Sequence, residues 1–219
     1  MRTLIAAMAL AGMIAGGALV YYGGVADGNA QPVELAPGVV ETAACALDGA
    51  TTTALEAASV GEVAAMRPTE RNLSIAGLAF ERADGTPTTL GAELAGPGLL
   101  NLWATWCAPC RIEMPHLDAL HEAESGDGGF AVLALNVDAG DPAKPLAFWA
   151  EVGMSHARYY RDDTLGTFNA LREGGLALGL PVTVLVDAEG CVLAAMNGPA
   201  EWASADARGL IAAARSLGR

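Results

Sequence analysis

Apolar residues dominate the start of the chain. From Thr3 to Ala26 there is no charged residue, and Leu4 to Tyr22 is a run of 19 apolar or small residues. At about 1.5 Å per residue, that is enough to span a hydrocarbon core of roughly 30 Å. Arg2 precedes the run, Asp27 and Glu34 follow it, and Tyr21 and Tyr22 stand where interfacial aromatics belong. The pattern predicts a membrane anchor over 1–26, with the rest of the chain facing outward. The alternative is a signal peptide cut after Gly28-Asn29-Ala30, although such a segment usually has an apolar core of about 7–15 residues. Residues 27–40 hold two prolines and two glycines with no helical or strand period, which predicts a linker, and 41–219 is read as the folded domain.

Within that domain the apolar spacing predicts an alternating series of elements. Leu55, Ala58, Val63 and Met66 suggest a short helix over 53–66. Leu78 to Arg82 and Thr86 to Leu90 flank Ala-Asp-Gly as a hairpin. The runs 99–106 and 130–137 read as strands buried on both faces. Between them, 110–124 reads as a helix with Ile112, Leu117, Leu120 and Ala123 on its apolar side, Glu113 and Asp118 largely elsewhere, and a kink at Pro115. Helices over 143–152 and 164–172, a strand near 156–161, a hairpin of 181–187 with 191–197, and a helix over 201–217 complete the series. An α/β chain of this order predicts a central mixed sheet flanked by helices, the layout of a thioredoxin-like fold.

Charge narrows the function. Twelve basic against 25 acidic residues give a net charge of −13, which argues against nucleic acid as a partner. The chemistry then falls to cysteine. Cys107-Ala108-Pro109-Cys110 lies where a predicted strand meets a predicted helix. Unpaired backbone N–H groups and the helix dipole there stabilise a thiolate, which is the nucleophile of disulfide exchange. Two intervening residues let the second sulfur resolve a mixed disulfide formed by the first, and Pro109 stiffens the turn. The same spacing also suits half of a zinc site, for which only His116 and His121 lie nearby, and no second cysteine pair follows.

The segment Trp103-Ala104-Thr105-Trp106-Cys107-Ala108-Pro109-Cys110-Arg111-Ile112-Glu113-Met114-Pro115 resembles the active site of TlpA-type thioredoxin-like proteins. The likeness runs from about residue 40 to 219, through Gly179-Leu180-Pro181-Val182-Thr183 and Gly198-Pro199-Ala200-Glu201-Trp202-Ala203-Ser204. It implies a thiol:disulfide oxidoreductase anchored in the bacterial inner membrane by a single span, its catalytic domain in the periplasm. Such an enzyme works as a monomer, without cofactor or metal, and is recharged by a membrane electron donor. It implies that Cys107 and Cys110 form the redox-active disulfide, that Pro181 is a cis-proline facing it, and that Leu180 offers backbone contacts to substrate. Trp103 and Trp106 match the family's active-site aromatics. Thioredoxin keeps a buried acid six residues before its first cysteine; here that position is Asn101, which cannot titrate. Glu113 matches the family's glutamate one turn into the helix, either as a proton acceptor for Cys110 or as a plain helix-face carboxylate. In an exported domain four cysteines favour two bridges, and pairing Cys45 with Cys191 resembles a family feature.

The expected partners are protein disulfides. The leading client is the oxidised cysteine pair of a copper chaperone or of an oxidase copper-site subunit, during cytochrome oxidase maturation. The rivals are the cysteines of apocytochrome c, whose reductases carry an acid after the cis-proline where this chain has Val182, and a copper-binding or copper-transfer module.

Overall fold

A computed structural model of the chain describes residues 35–126 and 129–217. The anchor expected over 1–26 and the linker up to residue 34 lie outside the described residues, among which no helix is long and apolar enough to cross a membrane. The elements are β1 (Val40–Glu41), α1 (Gly49–Ala58), β2 (Arg67–Pro68), β3 (Leu73–Ser74), β4 (Ala79–Arg82), β5 (Pro87–Thr89), α2 (Leu90–Glu93), β6 (Gly98–Trp103), α3 (Ala108–Glu124), β7 (Ala131–Asn136), α4 (Ala143–Glu151), β8 (Arg158–Arg161), α5 (Gly166–Glu173), β9 (Val182–Val186), β10 (Val192–Asn197) and α6 (Ala205–Ser216). The packed unit begins at Leu35, not at 41. Val39 is buried and Val40 pairs with Ser74, so residues 35–40, read as linker, fold with the domain. With one buried side chain among the six, they leave no period to read.

Eight strands form one mixed sheet in the order β2-β10-β9-β6-β7-β8-β4-β5. Every residue of β6 and β7 is buried, as continuous apolar runs require of strands covered on both faces. β6, β7 and β8 are parallel, and β9 runs opposite to β6. The register sets Trp103 against Asn136, Asn136 against Arg161, and Val182 against both Leu102 and Asn197. The loops after β6, β7, β8 and β10 and the loop before β9 therefore share one end of the sheet, the carboxyl end of its parallel strands, where open α/β sheets bind their ligands.

Three helices differ from expectation; the last, α6, starts four residues late because Ser204 Oγ accepts from Ala207 N at 3.1 Å as its N-cap. α1 starts four residues early, because Asp48 Oδ1 accepts from Thr51 N at 2.7 Å as its N-cap. Gly61, with φ of +51°, ends any continuation before a separate turn over Gly61–Val63. α3 keeps its helical period and buries Leu117 and Leu120 as expected, but the rest of its inner face differs. Cys110, Glu113, Met114, Leu117, Asp118 and His121 line its inner face, while Ile112 is 68% exposed and Ala123 is exposed. Asp118 is tolerated inside because it accepts from the backbone N–H groups of Ser155, His156 and Ala157. The helix runs on through Pro115, which is exposed.

Candidate active site

Cys107 is the N-cap of α3, and its Sγ accepts from Cys110 N at 3.3 Å. Ala108 and Pro109 open the helix, where a proline's missing N–H costs nothing because that group would lack an intrahelical partner anyway. The two sulfurs are joined, with Cα atoms 5.3 Å apart. Cys107 is 4% exposed and Cys110 fully buried. Both cysteines are therefore buried in the oxidised state.

Asp138, which the sequence did not single out, holds the preceding loop. Its carboxylate accepts from Thr105 N (2.8 Å), Thr105 Oγ1 (3.2 Å) and Asn136 Nδ2 (2.8 Å), and Val137 N donates to Trp103 O (3.0 Å). Trp103 is core, stacked on Phe148 with ring centroids 5.5 Å apart. Trp106, next to Cys107, is 70% exposed.

The Leu180–Pro181 peptide is cis. It enters β9 at the end of the sheet where α3 begins, and Pro181 O accepts from Gly198 N at 2.8 Å. Leu180 is half-buried there. Asn197 fixes the same loop by accepting from Leu178 N (2.6 Å) and donating to Leu176 O (3.0 Å), leaving the Leu178 side chain 85% exposed.

Glu113 lies one helical turn past Cys110 and on the same buried face of α3. It is fully buried. Oε1 accepts from Asn101 Nδ2 (2.8 Å); Oε2 accepts from Ala200 N (3.2 Å) and Trp202 Nε1 (3.1 Å). Burial pushes the carboxyl up to about 7, against the opposing pull of those three hydrogen bonds. Asn101 also donates to Thr183 Oγ1 at 2.9 Å, its register partner on β9. The sequence named Glu113 and Asn101; Thr183 and Trp202 were within quoted segments, but nothing local marked them as partners of residues 82 and 89 positions away.

Cys45 and Cys191 form a second, buried disulfide, tying the segment before α1 to the start of β10. The two histidines nearest the first pair face other groups: His116 pairs with Glu201, and His121 Nδ1 accepts from Val132 N. Among the described residues no cluster of three or more His, Cys, Asp or Glu could hold a metal ion. What the site can do chemically is exchange thiol for disulfide, with an acceptor of near-neutral pKa beside the second sulfur.

The family model that describes Redoxin matches residues 68–211. The chain belongs to the Redoxin family. Relatives include the thiol:disulfide interchange protein HelX of Rhodobacter capsulatus, 37% identical over 46% of this chain and 52% of HelX. The thiol:disulfide interchange protein DsbE of Pseudomonas fluorescens is 33% identical over 49% of this chain and 56% of its own. The chain thus spans about half the length of the curated relatives it matches. Among solved structures, a thiol:disulfide interchange protein of the thioredoxin family from Chlorobium tepidum superposes with a TM-score of 0.52 at 21% identity, covering 68% of this chain and 97% of that one. This Redoxin domain has the thioredoxin-like α/β fold, a central sheet with helices, that the order of elements predicted.

Proposed function

We propose that the chain is a thiol:disulfide oxidoreductase of the TlpA type that reduces disulfides in exported proteins maturing cytochromes. The observation that carries this reading is the Cys107–Cys110 disulfide at the N-terminus of α3 with a buried carboxyl one turn on. In the reduced state, Cys107 thiolate attacks a client disulfide. One client sulfur leaves as thiolate and takes a proton from water, and the other stays bonded to Cys107. Cys110 then gives its proton to Glu113, and the resulting thiolate attacks Cys107 Sγ. The internal disulfide closes as the second client thiolate leaves, so two electrons pass to the client. A dithiol donor in the membrane restores the starting state. No cofactor is needed, because the two sulfurs carry the electrons.

We place the domain in the periplasm, held by a single span over 1–26 in a bacterial inner membrane. The uncharged run Thr3–Ala26 and two disulfides, which persist in oxidising compartments, support this. The client we favour is the cysteine pair of a copper site in a cytochrome oxidase or its chaperone, whose thiols must be reduced before metal binds. The exposed Trp106 and Leu178 give the site an apolar border, and the residue after the cis-proline is the buried Val182, whereas reductases of apocytochrome c carry an acid at that position.

Cys110→Ser in intact cells should accumulate mixed disulfides whose partners mass spectrometry identifies, and Cys107→Ser should accumulate none. Equal trapping by both variants would sink the assignment of roles. A deletion strain should lose oxidase activity, keep covalent cytochrome c and recover with added copper. Loss of covalent haem with a copper-replete oxidase would move the client to apocytochrome c.

A further inference from the structure

The hydrogen bonds around Glu113 satisfy only one of its protonation states. Every group bonded to the carboxyl is a donor: Asn101 Nδ2 from β6, and Ala200 N and Trp202 Nε1 from the segment before α6. No charged side chain among the described residues bonds to it. Glu201, between those last two residues, turns to His116 instead; on Glu113's own helix the titratable groups three positions away are that His116 and Cys110, now in the disulfide. A carboxylate suits this setting, since it only accepts. A protonated Glu113 does not, because its O–H would point at donors, and the neighbouring sulfur is a weak acceptor.

One strong acceptor lies within reach of a single side-chain rotation. Asn101 Oδ1 is buried and has no hydrogen-bond partner, while its Nδ2 serves both Glu113 Oε1 and Thr183 Oγ1. A half-turn of the amide about its last bond exchanges the two atoms and leaves the backbone where it is. Thr183 can follow, since a hydroxyl that accepts in one state can donate in the other without moving its oxygen. In either orientation one end of the amide is unpaired, so the proton on Glu113 decides between them.

We propose that the Asn101 side-chain amide turns over when Glu113 takes up a proton, presenting Oδ1 in place of Nδ2 to both Glu113 and Thr183. Asn101 and Thr183 are thus positioning residues: they keep the proton on the Oε1 side of Glu113 and keep both of its forms hydrogen-bonded in a dry site. The inference rests on the reading of Glu113 as proton acceptor for Cys110. It adds that an asparagine, which cannot titrate, reports the proton's presence to β9 two residues past Pro181.

The test is solution NMR of the full-length oxidised protein, following the Glu113 carboxyl carbon and the Asn101 side-chain amide together. Above the Glu113 midpoint, the amide hydrogens should show cross-relaxation to the Thr183 methyl and to Glu113. Below it those contacts should vanish, with the same midpoint. Glu113→Gln should hold the turned orientation at every pH, because its Nε2 donates to Asn101 Oδ1 while its carbonyl accepts from Ala200 and Trp202. Amide contacts that persist across the Glu113 titration, or that still change with pH in Glu113→Gln, would overturn the proposal. The functional reading fails separately. If Glu113→Gln closes mixed disulfides at the wild-type rate, Glu113 is not the acceptor, whatever the amide does; if closure slows and the amide never turns, only this inference is wrong.

Discussion

Glu113 is the residue on which burial and hydrogen bonding disagree most, and burial wins: its carboxyl titrates at about 7 although three donors face it. Its value in the unfolded chain is near 4.5. The fold therefore prefers the protonated form. Stability from this group is fully present below about pH 4.5 and is lost as pH rises through about 7. A shift of that size corresponds to about 3 kcal/mol as an order of magnitude. Urea unfolding of the oxidised protein should show this decline in the wild type and a flatter profile in Glu113→Gln. The same variant should close mixed disulfides at least tenfold more slowly at pH 7, since general-base help is typically worth about 10²–10⁴-fold. Parallel pH profiles of stability in the two proteins would mean that Glu113 does not titrate in this window.

The elements most legible in the sequence were those whose period and burial agree. β6, β7 and β9 announced themselves as short apolar runs, and every residue in each is buried. α3 was legible in its placement but not in its inner face. Ile112 looked like core and is exposed, and Glu113 and Asp118 looked like solvent and are buried. Hydropathy cannot foresee this, because the groups that make those carboxylates tolerable come from Ala200, Trp202 and the 155–157 backbone, far along the chain. Asp138 was hidden for the same reason: its importance lies in Thr105, 33 positions away. Removing it strands the Thr105 N–H and the Asn136 amide, each costing about 1–3 kcal/mol if left unpaired. Asp138→Ala should therefore lower the stability of the oxidised protein by roughly 2–4 kcal/mol and change the rate at which the reduced Cys107 is alkylated. The cysteine effect should also appear in Asp138→Asn, which preserves volume. An unchanged alkylation rate in both variants would leave Asp138 a purely structural tie.

At the scale of the whole molecule, the question is what holds the N-terminal 35–66 segment against a main sheet to which it contributes no strand. Its one strand, β1, is two residues long and pairs Val40 and Glu41 with β3 in a separate two-stranded sheet. Leu55, Val63 and Met66 are fully buried in the core, and Glu62 N donates to Asp206 Oδ2 at the start of α6. The Cys45–Cys191 bridge adds a covalent tie. It closes a loop of 146 residues, which in the chain-entropy model stabilises the fold by about 5 kcal/mol, an upper figure since residual structure in the unfolded chain reduces it. Away from the shared end of the sheet, it should resist reductant, while Cys107–Cys110, equally buried but at a helix N-terminus, opens first. Under mild dithiol, mass spectrometry of alkylated peptides should find Cys107 and Cys110 labelled before Cys45 and Cys191. The double variant Cys45→Ala with Cys191→Ala should lose several kcal/mol in urea, at most about 5, yet still exchange disulfides through Cys107 when folded. Simultaneous opening of the two bridges would make the second a redox partner of the first, and a double variant as stable as the wild type would mean that packing alone holds the N-terminal segment in place.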